Sequence, residues 1–191
     1  LKDRSSGKNI IWATDIYASK GASYDFPEPI TVKLITGRFG KIIRPRIDKS
    51  QKEQKIRIKD KAEVFTPSWI CNEMNNHLCD EWFDSKDVFN IAKDKTWIVN
   101  NNKIHFTNEK DKTWQDFVKL KVLEISCGEA PFLASRYDTT TGEWIDVNSR
   151  IGALDRKLRV INENCNSEQD WYNWTLVAFK STFGYEWQGD S

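Results

Sequence analysis

The sequence has little with which to bind a metal or to fasten itself covalently. His77 and His105 are its only histidines, and Cys71, Cys79, Cys127 and Cys165 form no CxxC pair. A zinc site built from two closely spaced ligand pairs is therefore excluded. Four cysteines in 191 residues do not make a small secreted disulfide scaffold either, so reduced thiols in a cytoplasmic protein are expected. A Cys/His nucleophilic dyad would rest on Cys127, the cysteine that stands beside a glycine. No apolar run approaches the roughly 20 residues that span a bilayer, and Leu1-Lys2-Asp3-Arg4 leads into no signal-like apolar segment. Neither membrane insertion nor secretion is expected. The five prolines, Pro27, Pro29, Pro45, Pro67 and Pro131, are never adjacent to one another.

What is present suits a folded chain. A composition of 39% hydrophobic, 13% aromatic and 30% charged residues supplies a core and is too aromatic for a disordered tail. The length of 191 residues fits one domain, or one domain with an extension. Because the chain opens on Leu1 and stops at Gly189-Asp190-Ser191, a piece of something longer is expected. The net charge of +1 hides a separation: eleven basic residues face three acidic ones between Lys33 and Lys61, leaving an acidic remainder. With Ile42, Ile43, Ile47, Ile56 and Ile58 interleaved, this stretch suits contact with a phosphate backbone, Lys52, Lys55 and Arg57 being the candidate contacts. A solvated face whose lysines simply point to water is the alternative.

Periodicity gives an order of elements. Residues 10–17, 30–36 and 41–47 read as strands, the last two joined by a Gly37–Gly40 turn, making residues 1–61 a small β-rich basic extension. A helix follows, with Thr66 as cap, Pro67 in its first turn, an Ile70, Met74, Leu78 stripe, and an end near Glu81. Residues 84–117 read as loop with one hairpin near Trp97–Phe106. Ile151, Leu154, Leu158 and Ile161 mark one face of a helix, and Ser167-x-x-Asp170 caps a second that carries Trp171, Trp174 and Val177.

The chemistry-bearing stretch begins at Lys121. Val122-Leu123-Glu124-Ile125 is a short strand that runs into the small-residue loop Ser126-Cys127-Gly128-Glu129-Ala130, and a helix with Pro131 in its first turn is expected next. Such a loop lets backbone approach a nucleotide-like ligand at the carboxyl end of a strand. An acid at the end of a following strand would hold ribose hydroxyls, and two residues compete for the role. Asp146 has the usual spacing of about 20 residues from the glycine, whereas Glu186 ends the Phe183–Trp187 strand but needs both helices as an insertion.

Ala62-Glu63-Val64-Phe65-Thr66-Pro67, then Leu123–Leu133, then Tyr185-Glu186-Trp187-Gln188-Gly189-Asp190 resemble, in order, the N-terminal half of a DNA adenine-N6 methyltransferase from bacterial restriction-modification systems. The resemblance spans residues 62–191. It implies an α/β fold, an incomplete Rossmann-like methyltransferase sheet, with S-adenosylmethionine as cofactor. Phe65, Thr66 and Pro67 would line the methionine end of that cofactor. Glu124, Cys127 and Gly128 would form the pocket floor, Pro131 and Phe132 would pack nearby, and Glu186 would hold the ribose. The motif order is what favours Glu186 over Asp146.

In that family an Asn/Asp-Pro-Pro-Tyr/Phe motif presents the flipped adenine, and no adjacent prolines occur here. The resemblance therefore implies a chain that holds cofactor, lacks catalytic residues of its own, and continues into the missing motif. Implied partners are double-stranded DNA, bound through the full-length protein, and a restriction or specificity subunit. The competing reading is a non-catalytic nucleic-acid-binding or assembly module whose basic stretch does the work on a Rossmann-like scaffold.

Overall fold

The computed structural model describes residues 1–3, 5–51, 55, 64–107, 109 and 111–186. The chain divides into two compact units, Leu1–Glu63 with Glu186–Ser191, and Val64–Tyr185.

The first unit is organised by aromatic packing. Trp12 stacks at a tilt against Tyr17 and Tyr24, with centroids 5.1 and 5.5 Å apart, and Ile30 completes the buried cluster. The Trp12 indole donates to Ser23 O at 3.2 Å, satisfying its one polar group. The strands expected over 10–17, 30–36 and 41–47 do not form. Over residues 10–48 the described backbone forms short 3₁₀ turns, such as Val32–Leu34 and Gly37–Phe39, and isolated bridges such as Ile11↔Pro29, and Gln51 and Lys55 are helical. The apolar residues that suggested strands converge on one tryptophan instead of pairing in a ladder. At the third segment, Ile42 and Ile43 pack beside that cluster. The extension is therefore not β-rich among its described residues.

The second unit is mixed α/β with two separate two-stranded sheets. Helix α1 spans Ser68–Phe83. Strands β1 (Asn90–Lys93) and β2 (Thr96–Val99) form an antiparallel hairpin whose two-residue turn places Asp94 and Lys95 at φ 45° and 61°, the left-handed pair that such turns demand. The hairpin thus lies upstream of the expected Trp97–Phe106. Helix α2 (Trp114–Lys119) occupies ground read as loop, and Thr113 and Asp116 form its reciprocal capping box.

Strand β3 (Val122–Ile125) is followed by two helices, α3 (Ala153–Asn164) and α4 (Glu168–Lys180), and then by β4 (Thr182–Tyr185). Strands β3 and β4 pair in parallel, with Leu123 opposite Phe183 and Ile125 opposite Tyr185. Parallel neighbours need a long crossover, and the two helices supply it. Ser167 caps α4 by accepting from Asp170 N–H, as its sequence predicts.

The core joins α1, α2, α3 and α4 through Cys79, Phe89, Phe117, Val118, Val160, Ile161 and Ala178. Helix α1 turns its expected apolar stripe outward: Met74 and Leu78 are more than half exposed, while Cys71, Asn72, Asn75 and Cys79 are buried. The cause is buried Arg156 of α3, whose guanidinium donates to Asn75 O, Asn72 Oδ1, Asn76 Oδ1 and Cys79 Sγ at 2.6–3.1 Å. A buried guanidinium unpaired with a carboxylate among the described residues draws neutral acceptors inward.

At the opposite edge of the parallel pair, buried Lys157 donates from Nζ to Leu120 O and Ser181 Oγ, which precede β3 and β4. Burial lowers this ammonium to about 8. Beyond Ile125 and Tyr185, the other end of the strands carries the residues singled out by sequence.

Candidate functional site

Loop 126–130 holds three residues in the left-handed region, Ser126 at φ 54°, Gly128 at 52° and Ala130 at 54°. Two of the three are not glycine, which marks a loop held in shape by its surroundings. Cys127 N–H donates to Tyr185 O at 2.9 Å, prolonging the β3–β4 pairing into the loop. A methyl group built on Gly184 would stand 2.9 Å from Cys127 Sγ, so any larger residue there would have to displace that thiol.

Phe65 meets this loop. A Cβ on Gly128 would lie 3.5 Å from Phe65 Cε1, so the ring before α1 covers the glycine of the strand–loop motif. Thr66 does not cap α1; its carbonyl accepts from Thr139 Oγ1 at 3.0 Å. The cap comes from 70 residues away, where Asp138 Oδ2 accepts from Ser68 N–H at 2.7 Å. Pro67 stands at the cap position, and a cavity of about 350 Å³ opens beside it, lined also by Trp69, Trp97, Asp138 and Trp144. Neither Glu124 nor Gly128 lines that cavity.

Asp138 was not anticipated, although Asp138-Thr139-Thr140-Thr141-Gly142 is a recognisable turn. Burial alone would raise its carboxyl. Hydrogen bonds from the Thr140 hydroxyl and from the Ser68 and Thr141 amides outweigh that and hold it well below the usual carboxylate range.

Glu124 lies on β3 with its carboxyl turned toward the backbone N–H groups of Phe132 and Leu133. Burial lifts it to about 7, against the downward pull of those two amides. Its Oε2 is buried and has no hydrogen-bond partner. The expected helix after Pro131 does not form. Instead Pro131 is buried in a run of turns, and the carbonyls of Phe132 and Leu133 accept from the first amides of α3, Ala153 and Leu154, at 2.8 and 2.9 Å. The Phe132–Leu133 peptides therefore serve Glu124 with their amides and α3 with their carbonyls, and carbonyls given to α3 are not available to amides four residues on. Asn75 secures the segment by donating to Phe132 O and Ile151 O, both at 3.0 Å.

Phe65, Glu124, Cys127, Gly128 and Phe132 are thus brought around one loop. Glu186 directly follows β4, the strand paired with β3, and is half-buried. Its rival Asp146 lies in a loop, where it caps the short Val147–Ser149 turn through Asn148 N–H. Of the basic candidates, Lys55 is exposed, whereas Lys52 and Arg57 lie outside the described residues.

All four cysteines are free. Burial, with the Glu124 and Asp138 carboxylates adding to it, pushes the Cys71 thiol up to about 12, which removes it as a nucleophile. His77 faces Glu81 at 3.5 Å on the exposed side of α1. Among the described residues no cluster of His, Cys, Asp and Glu could hold a metal ion, and no helix is long and apolar enough to cross a membrane. Comparisons with protein-family models, with curated proteins and with solved structures find no match.

Proposed function

We propose that this chain is the cofactor-binding part of a site-specific DNA methyltransferase that transfers a methyl group from S-adenosylmethionine to adenine N6 in a bacterial restriction-modification system. The observation that carries the reading is the packing of Phe65 on Gly128. Two sequence motifs, each suggestive of this family and with 55 residues between them, meet at the carboxyl end of a parallel strand pair. Open α/β sheets bind nucleotide-like ligands at that position.

The residues fit the cofactor. Glu124 Oε2 is buried without a partner, which suits an ammonium group. Gly128 leaves open the space that a side chain would fill beneath the Phe65 ring. Phe65, Thr66 and Pro67 would hold the methionine end, Glu124, Cys127 and Gly128 the floor, and Glu186 the ribose. The cofactor supplies an electrophilic sulfonium methyl. This chain's contribution is to fix that group's position, because transfer to an amino nitrogen depends on alignment more than on acid or base strength. The open face of the sheet agrees with a further layer covering it in such an enzyme. Leu123, Ile125 and Tyr185 are 53, 75 and 53% exposed, whereas parallel sheets are ordinarily covered on both faces.

Titration calorimetry of the chain with S-adenosylmethionine tests the reading. Saturable binding that F65A weakens by about tenfold or more is expected. A well-folded sample giving no heat up to about 1 mM cofactor overturns it.

A further inference from the structure

A second cavity lies in the Val64–Tyr185 unit, away from loop 126–130. It has a volume of about 650 Å³ and is lined by α3, α4, the 147–150 segment and the hairpin. That is the size of a small-molecule site. Two of its lining residues, Arg150 and Thr175, each carry a buried polar atom without a hydrogen-bond partner, Nε and Oγ1. Native interiors rarely leave such atoms unpaired, and two in one cavity mark a place built for a ligand's acceptors.

Among the charged groups around it, one donor is left unanswered. Arg150, Arg156 and Arg159 line the cavity against Asp155 and Glu163. Both carboxylates are already engaged, as are the guanidiniums of Arg156, on neutral acceptors of α1, and of Arg159, on Glu163 and the Asn100 and Asn102 carbonyls. Asp155 accepts from Ser135 and from Gly152 N–H at 2.8–3.1 Å, and Glu163 accepts from Arg159 Nε and from Ile104 N–H at 2.8 Å each. Arg150 feels the Asp155 charge, yet its Nε has no acceptor. An anion is the complement.

Trp171, Thr175 and Phe179 stand at i, i+4 and i+8 on α4, so one helix face presents two aromatic rings around the unpartnered hydroxyl. Both rings are about half exposed, and the Trp171 indole is held by its N–H bond to Asn162 Oδ1 at 2.6 Å. A fixed, open indole is a stacking platform for a planar base.

We infer that this cavity binds a nucleotide, with its phosphate at Arg150 and Thr175 and its base against Trp171. The shared chemistry of base and phosphate fits either a free mononucleotide or one unit of a nucleic-acid strand.

Titration calorimetry of the whole chain with AMP, adenosine and inorganic phosphate tests it. AMP binds saturably, and adenosine and phosphate each bind about tenfold more weakly or worse. R150Q and T175V weaken AMP binding, R150Q to roughly the level of adenosine, whereas F65A leaves AMP binding unchanged and so separates this cavity from the proposed cofactor site. A short single-stranded oligodeoxyadenylate distinguishes the sources: affinity equal to that of AMP identifies a free nucleotide, and tighter binding still sensitive to R150Q identifies a strand. No saturation up to about 10 mM AMP overturns the inference, as does AMP binding that both variants leave intact. If R150Q fails to fold, T175V, which removes only the hydroxyl, decides the matter.

Discussion

Arg156 and Asn72 share a buried hydrogen bond of 3.1 Å, and Asn72 in turn exchanges a reciprocal amide pair with Asn90 at 2.8 Å in each direction. Three elements, α3, α1 and β1, are locked by that chain of polar groups, while the guanidinium lies 4.9 Å above the Phe89 ring. Among the described residues no carboxylate is paired with Arg156, so each neutral acceptor counts. Asn72→Ala deletes one acceptor and one donor and leaves both Arg156 Nη2 and the Asn90 amide short of a partner. A loss of about 2–3 kcal/mol is expected in urea unfolding of the chain. A loss under about 0.5 kcal/mol would mean that water or rearrangement satisfies those groups.

That network also explains which parts of the fold were legible. Helices α3 and α4 could be read because Ile151 and Ile161 repeat on a buried face and Ser167 meets Asp170 in a local cap. Strand β3 and its loop could be read for the same local reason. The inner face of α1 could not: its asparagines look like surface residues until Arg156, 80 positions or so further on, claims them. Nor could the Asp138 cap of α1 or the double use of Phe132 and Leu133, since both depend on distant partners. The first unit's aromatic cluster misled similarly, because alternating apolar residues imply a strand only where a neighbouring strand is available. Phe65 and Gly128 were each identified locally, but their meeting is tertiary.

Gly152 carries a steric constraint that local sequence does not display. Its φ of −65° suits any residue, yet a Cβ there would stand 2.4 Å from Leu133 O and 2.7 Å from Ala134 N. Those are backbone atoms of the segment that serves Glu124, so they cannot swing aside. Gly152→Ala should cost about 3 kcal/mol or more and weaken cofactor binding by displacing Phe132–Leu133. Gly37→Ala provides the contrast: open space surrounds it, and only its φ of +58° opposes a side chain, for a cost of about 1 kcal/mol. Equal urea midpoints for the two variants would contradict the packing argument.

The basic stretch makes a prediction in salt. If Lys52, Lys55 and Arg57 each neutralise a phosphate, changing all three to Glu weakens duplex DNA binding by the full-length protein. It also reduces the slope of log K against log salt by about 3, at nearly one unit per lost contact. A fluorescence-anisotropy titration at several salt concentrations measures both quantities. An unchanged slope would assign these residues to a solvated face.

Glu124 ties stability to pH through the proposed site. Its carboxyl stands at about 7 in the folded chain against 4.5 ordinarily, because burial disfavours the charged form. Below about 4.5 the group is protonated whether the chain is folded or not, and the neutral side chain carries its full stabilising effect. As pH rises through 7 the unfolded state has already released its proton while the folded state holds on, so stability falls across this window. Because the side chain is partly exposed and solvent screens it, the loss is about 1–2 kcal/mol. Glu124→Gln cannot ionise and should lack this component. Relative to the wild type, the variant therefore gains thermal stability between pH 5 and pH 8. Parallel pH profiles for the two proteins would show that Glu124 titrates in the folded chain as it does in the unfolded one, its carboxyl being solvated or paired, and would remove the unpartnered Oε2 as an argument for a cationic ligand.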